Sequence, residues 1–396
     1  MLTTFRHAAA GIAIAIALGA ATSARADLAE GMAAFHARDF ARAFVEFSHS
    51  AATGDTASQY YLAGLYAEGL GVPRDDEQAA FWLFRAARAG DASAQYRLGS
   101  FYIQGRGVPR DYDEARIWLR RAAAQEDSGA QFSLGYMAAN GLGMVPDPAS
   151  AVTWYQRAAE SGHGTARHNL ALLLYRGRGV PRDVEAALEL LQAGALNGDA
   201  NAQFSLGTLL RNGTDVEQNL PRALELLERA ARQGHAKAQY NLGQMVRRGE
   251  GTKPDLVKAI RLLRAAAEQG HARAQYNVAF LLAHAPEPIA SPTTARHYYE
   301  RAAAQRYAPA MVNLGALYGN GFGVSADPVK AMAWWLLAAE LGEERAVEYI
   351  SRVSPTLDDE QRQEAGRLAE EFRRAGTIRR SDAEVEDPDT LLSEQL

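Results

Sequence analysis

A unit of 36 residues recurs without a gap from Ala57 to Glu343, and no other property of the 396-residue chain restricts its fold so strongly. The clearest copy is Ala92–Asp127, ASAQYRLGSFYIQGRGVPRDYDEARIWLRRAAAQED. Counted in that register, one small residue returns as Ala63, Gly99, Gly135, Ala171, Gly207, Gly243, Ala279 and Gly315, which makes eight copies in a single frame. A period between about 20 and 50 residues is the signature of an array whose units bury their apolar faces against their neighbours. Such an array grows by addition, so a chain too long for one ordinary core needs no second one.

Each copy divides into two helices. In the second, helix A is expected from about Ser93 to Gln104, with Ala94, Leu98, Phe101 and Tyr102 on the buried side and Gly99 where a neighbouring helix comes close. Gly105-Arg106-Gly107 ends it, Val108-Pro109-Arg110 crosses over, and Asp111 offers a carboxylate to the free backbone N–H groups at the start of helix B. The same column holds Asp75, Asp147, Asp183, Asn219, Asp255, Ser291 and Asp327. Recurrence at helix starts assigns these acids to capping rather than to catalysis. The Trp118 column reads Trp82, Trp154, Leu190, Leu226, Leu262, Tyr298 and Trp334, and a position that accepts leucine for tryptophan is packing. His163, His235 and His271 share a column with Asp55, Asp91 and Asp199, which assigns them to turns and caps rather than to a metal. The seventh copy departs most, with Ala285-Pro286-Glu287-Pro288-Ile289-Ala290-Ser291-Pro292 in place of a glycine turn that prolines cannot reproduce.

Residues 27–56 read as an N-terminal capping helix pair, 57–342 as the eight repeats, 343–374 as C-terminal capping helices split by Ser354-Pro355-Thr356-Leu357, and 375–396 as a disordered acidic tail. Residues 1–26 have a basic start at Arg6, an apolar run from about Ala8 to Ala21 and Ala24-Arg25-Ala26 before Asp27, the pattern of a cleaved signal peptide. A periplasmic location follows as the expectation, with no membrane insertion after the signal is removed. A net charge of −5 argues against nucleic acid, which demands a basic stripe, and the absence of cysteine excludes disulfides and thiol chemistry. No Gly-x-Ser-x-Gly, Ser-x-x-Lys, His-Glu-x-x-His or Walker-type phosphate loop is present, so no catalysis and no cofactor are expected.

The unit A-x-A-Q-Y-x-L-G-x-x-Y…G-x-G-V-x-x-D…A-x-x-W-x-x-x-A-A-x-x-G resembles the Sel1-like repeat, a relative of the tetratricopeptide repeat. The resemblance implies an all-α, right-handed α-solenoid with helix A lining its concave side, and a role as adaptor or regulator in protein complexes. If helix A lines a groove, the columns of Arg97, Ser100 and Gln104 form one stripe at i, i+3 and i+7. The candidate protein-binding residues on it are Arg97, Tyr136, Asn169, Arg176, Asn241, Arg248, Asn277, Phe280 and Asn313. An asparagine offers both a donor and an acceptor to an extended peptide backbone, and arginines take carboxylates. Because the family itself favours Asn after Gln-Tyr, hydrogen bonding within the scaffold is the equal alternative. The leading expectation is a monomeric scaffold that holds a peptide or protein domain. Two others stay open: a periplasmic regulator that inhibits a membrane sensor kinase, and an envelope enzyme or peptidoglycan-binding protein. The acidic tail is expected to compete weakly for the groove.

Overall fold

A computed structural model describes residues 28–286 and 288–381, with side chains through Ala375. It falls into two compact units, divided between Leu190 and Leu191. Among the described residues every regular element is a helix, so the chain is an all-helical α-solenoid built of eight repeats.

In the first unit α1 (Leu28–His36) and α2 (Phe40–Ala52) precede the repeats. Helices A and B then alternate as α3 (Thr56–Glu68), α4 (Asp76–Arg88), α5 (Ala92–Gln104), α6 (Tyr112–Ala123), α7 (Ser128–Asn140), α8 (Pro148–Glu160) and α9 (Gly164–Arg176). Helix α10 (Val184–Leu196) contains the division. The second unit continues with α11 (Ala200–Asn212), α12 (Leu220–Arg232), α13 (Ala236–Arg248), α14 (Leu256–Glu268), α15 (Ala272–His284), α16 (Pro292–Ala304), α17 (Ala308–Asn320) and α18 (Pro328–Glu340). It closes with α19 (Glu344–Val353), a 3-10 turn at Ser354–Thr356, and α20 (Asp359–Ser381).

The local signals act as their chemistry requires. Seven of the eight cap residues ahead of helix B accept the backbone N–H three residues on, from Gln78 to Asp75 at 2.9 Å through Lys330 to Asp327 at 2.9 Å. Ser291 is the exception: its hydroxyl donates to Thr294 Oγ1 at 2.7 Å and caps nothing. Helix A commonly ends in a left-handed glycine, as at Gly105 with φ 69°, whereas α15 ends at Ala285 in extended backbone, as the proline run demands. The small-residue column has the expected cause. A Cβ at Gly135 would stand 2.6 Å from the Tyr155 ring, and one at Gly99 2.7 Å from Leu119, so helix A of a repeat lies too close to its own helix B for a methyl group.

A buried glutamine column joins the repeats. Gln59, Gln95 and Gln131 in the first unit, and Gln203, Gln239 and Gln275 in the second, each donate Nε2 to the carbonyl eight residues earlier, at 3.0 to 3.5 Å. Several also accept an amide from a glutamine thirty residues later, as Gln95 does from Gln125 at 2.9 Å and Gln275 from Gln305 at 2.8 Å. Each side-chain amide so adds a second bond to a carbonyl in the C-terminal turn of the preceding helix, which also accepts the backbone N–H three residues on, as Ala87 does from Gly90 at 3.1 Å.

Asp39 caps α2 at the Arg38-Asp39 turn between the two opening helices. Residues 375–381, read above as part of the disordered tail, continue α20 to Ser381. Buried Ala365 and Ala369, with Phe372 stacked on Trp334 at 4.4 Å, hold that helix in place. Residues 1–26 and 382–396, where the signal peptide and the rest of the tail are expected, lie outside the described residues.

Candidate functional site

The nine candidate residues lie on A helices but meet different surroundings. In the first unit the Arg97 guanidinium lies over the Tyr60 ring at 5.4 Å, joining neighbouring repeats. Tyr136 is half-buried and stacks on Phe132 at 6.5 Å. Asn169 is buried. Arg176 is half-buried, and burial, helped by the charge of Arg178, draws its guanidinium below the ordinary arginine range. In the second unit Arg248 pairs with Glu250 at 3.3 Å. Asn241 donates to Thr208 Oγ1 at 3.3 Å, Asn277 to the Arg273 carbonyl at 2.7 Å, and Asn313 to the Tyr299 hydroxyl at 2.9 Å. These three amides therefore bond within the scaffold, each with its carbonyl oxygen and second N–H still to be used. Phe280 is exposed and stacks on His284 at 4.4 Å.

Asn313 and Asn241 line cavities. Asn313 borders one of about 390 Å3 with His284, Tyr299, Asn320 and Phe322, where burial pushes the Tyr299 phenol up. Asn241 borders a larger one, of about 630 Å3, formed by α11, α13, α15 and the turn before α17. Its walls are aromatic, from Phe204, Tyr240 and Tyr307, and polar, from Thr208, Asn212 and Asn241. Its charges are Arg211, Lys237 and Arg273, and none of the residues lining it is a carboxylate. Glu250 holds Arg211 from outside, at 2.7 Å.

His271 also lines this cavity and caps the helix α15. Its Nδ1 accepts the Ala274 amide at 3.1 Å and its ring stacks on Tyr240 at 4.7 Å. Burial, followed by the charges of Lys237 and Arg273, brings its pKa down to about 4, so at neutral pH the imidazole is uncharged. His163 and His235 cap in the same way, accepting from Ala166 at 3.2 Å and Ala238 at 3.1 Å. Among the described residues no three His, Asp or Glu side chains stand together as metal ligands. Among the same residues, no helix is long and apolar enough to cross a membrane.

The stripe at Arg97, Ser100 and Gln104 begins one helical turn too late to include Lys237 and Arg273. The signal for them lies in the column four residues before Arg97. It reads Ala57, Ser93, Gly129, Thr165, Asn201, Lys237, Arg273 and Pro309, neutral except in two successive repeats. Tyr307 carries a signal of a different kind, since it replaces Asp or His in a capping column.

The Sel1 repeat family model matches eight consecutive segments, 56–91, 92–127, 128–163, 164–199, 200–235, 236–271, 272–307 and 308–343. The structure is similar to that of c5321, a protective antigen present in uropathogenic Escherichia coli strains and displaying an SLR fold: 27% identity, 91% of this chain and 87% of that one covered, TM-score 0.52. A Sel1 repeat protein from Oxalobacter formigenes is 35% identical over 61% of this chain and 100% of its own, with a TM-score of 0.58. No curated protein matches the chain. Eight contiguous matches at the helix boundaries found in the structure make this chain a member of the Sel1 repeat family, whose proteins generally act as protein-interaction scaffolds.

Proposed function

We propose that the protein is an exported, non-catalytic interaction scaffold that holds a peptide or protein domain against its A helices, with the cationic cavity of the second unit as the principal contact. The observation that carries this reading is the cavity itself. About 630 Å3 walled by Phe204, Tyr240 and Tyr307 and edged by Arg273, Lys237 and Asn241 offers apolar surface, charge and amide groups in one place. Aromatic and arginine side chains are those on which protein partners most often depend. The basic, apolar and Ala-x-Ala sequence of residues 1–26 supports export to the periplasm.

The test is crosslinking capture from the periplasmic fraction by the wild-type protein and two variants, Lys237→Glu/Arg273→Glu and Arg97→Glu/Arg176→Glu/Arg248→Glu. One partner captured by the wild type and lost from the first variant, with helicity unchanged, is the expected result. Equal capture by the first variant overturns the cavity as the contact, and loss from the second alone moves the site to the arginine stripe. An intact mass that starts at Asp27 is the expected sign of export.

A further inference from the structure

The turn that leads into α17 violates the chemistry of its own column. In most copies a glycine with positive φ, such as Gly234 at 87° or Gly270 at 90°, precedes an Asp or His that caps the next helix, and Glu126, at 64°, stands in the glycine's place before the capping Asp127. Here Arg306 takes φ 61° and Tyr307 makes no side-chain cap bond. The first departure strains an L side chain in left-handed backbone, and the second leaves the Ala310 amide on the Tyr307 backbone carbonyl, at 3.0 Å, instead of on a capping side chain. Both also put a side chain on a cavity. Tyr307 lines the cationic one, and Arg306 a neighbouring one of about 410 Å3 that Phe372 and Ala375 of α20 help to form. Gln305 and Tyr307, on either side of Arg306, thus border the cationic cavity within one residue of the place where the last helix lies.

We infer that the cationic cavity receives the chain's own acidic segment, Asp382–Leu396, as an internal occupant that a partner must displace. This rests on the reading that the A-helix face is where the protein binds. Charge selects the occupant. Asp382, Glu384, Glu386, Asp387, Asp389 and Glu394 bring six acids with no base, against three cations in a lining that has no carboxylate. Glu250 already neutralises Arg211, so the attraction falls to Lys237 and Arg273. Val385, Leu391 and Leu392 supply apolar side chains for the Tyr240 and Tyr307 walls. Beyond Ala375 the helix runs to Ser381, about 9 Å at 1.5 Å per residue, and the segment after it spans up to about 50 Å when extended.

The chain has four lysines, Lys237, Lys253, Lys258 and Lys330, so zero-length carbodiimide coupling of lysine to carboxylate on the intact protein reads the contact directly. Coupling of Lys237 to Asp382–Glu394 is expected in several-fold excess over coupling of the other three. It should fall about fivefold or more on going from about 50 mM to about 500 mM salt, as a solvent-facing ion pair does, and likewise in Arg273→Glu. Equal coupling of the segment to all four lysines, or none to Lys237, overturns the inference. So do mixed-isotope products from a blend of labelled and unlabelled protein, which would mean exchange between copies. The two readings fail separately. If the segment misses Lys237 while Lys237→Glu/Arg273→Glu still loses a captured partner, the internal occupant falls and the scaffold stands. If the segment couples to Lys237 while that variant captures its partner undiminished, the occupant stands and the cavity is not the partner's contact.

Discussion

A single imidazole makes the second unit sensitive to acid. Only the neutral ring of His271 can accept the Ala274 amide, and with a folded pKa of about 4 it stays neutral where an unfolded histidine, near 6.5, takes a proton. Between these values the unfolded state binds more protons, so this contribution is whole above pH 6.5 and is lost as the pH falls toward 4. The loss from pH 7 to pH 5 is expected to be about 2 kcal/mol, read by urea unfolding followed at the helices of the second unit. His271→Asp, which restores the cap used at Asp199, should flatten that dependence. At Tyr307 stability and binding are set against each other. Tyr307→Asp should gain about 1 kcal/mol by capping α17 and at the same time reduce the coupling of Lys237 to the acidic segment. Gain without reduced coupling would remove Tyr307 from the binding wall.

At the level of the helix pair, two columns set the spacing. Gly135→Ala puts a methyl group against the Tyr155 ring and should cost about 1 to 3 kcal/mol despite alanine's better helix propensity. Gln239→Met removes the bond to the Ala231 carbonyl and the acceptor of the 2.8 Å bond from Gln269, and should raise hydrogen exchange in α12 and α14 far more than in α17. The glycine column was legible in the chain because a recurring small residue inside an amphipathic helix has few explanations besides close approach. The glutamine column was present in the same motif but carried no such meaning. A polar side chain at a buried position fits neither the apolar nor the solvent face of a periodic pattern, and its partner lies eight residues away across a turn. The asparagines were ambiguous for a related reason: an amide reads alike whether it faces a ligand or, like Asn313, a neighbouring tyrosine.

For the molecule as a whole, the period carried the fold, and helix after helix starts within a residue or two of the place its cap implies. The end of α20 was not legible. Charged residues suggested a tail, while the alanines and Phe372 that pack the helix are too sparse to form a visible stripe. The cavity was legible only in part. Asn241 was on the stripe, but Lys237, Arg273 and Tyr307 belong to columns that serve as helix starts elsewhere. Neighbouring repeats are tied by bonds of constant reach, eight residues from glutamine to carbonyl and thirty from glutamine to glutamine. Where both glutamines are present the junction is therefore indifferent to which copy stands on either side, whereas Arg167 and Met311 replace the first of them in the fourth and eighth copies. Removing Ala92–Asp127 would bring Gln131 to the Ala87 carbonyl in the same register that Gln95 now occupies, with Asp91 capping Ser128–Asn140. A unit outside the stretch from α11 to α17 can therefore be gained or lost without changing any residue of the cavity, so the length of such an array can vary independently of what it recognises.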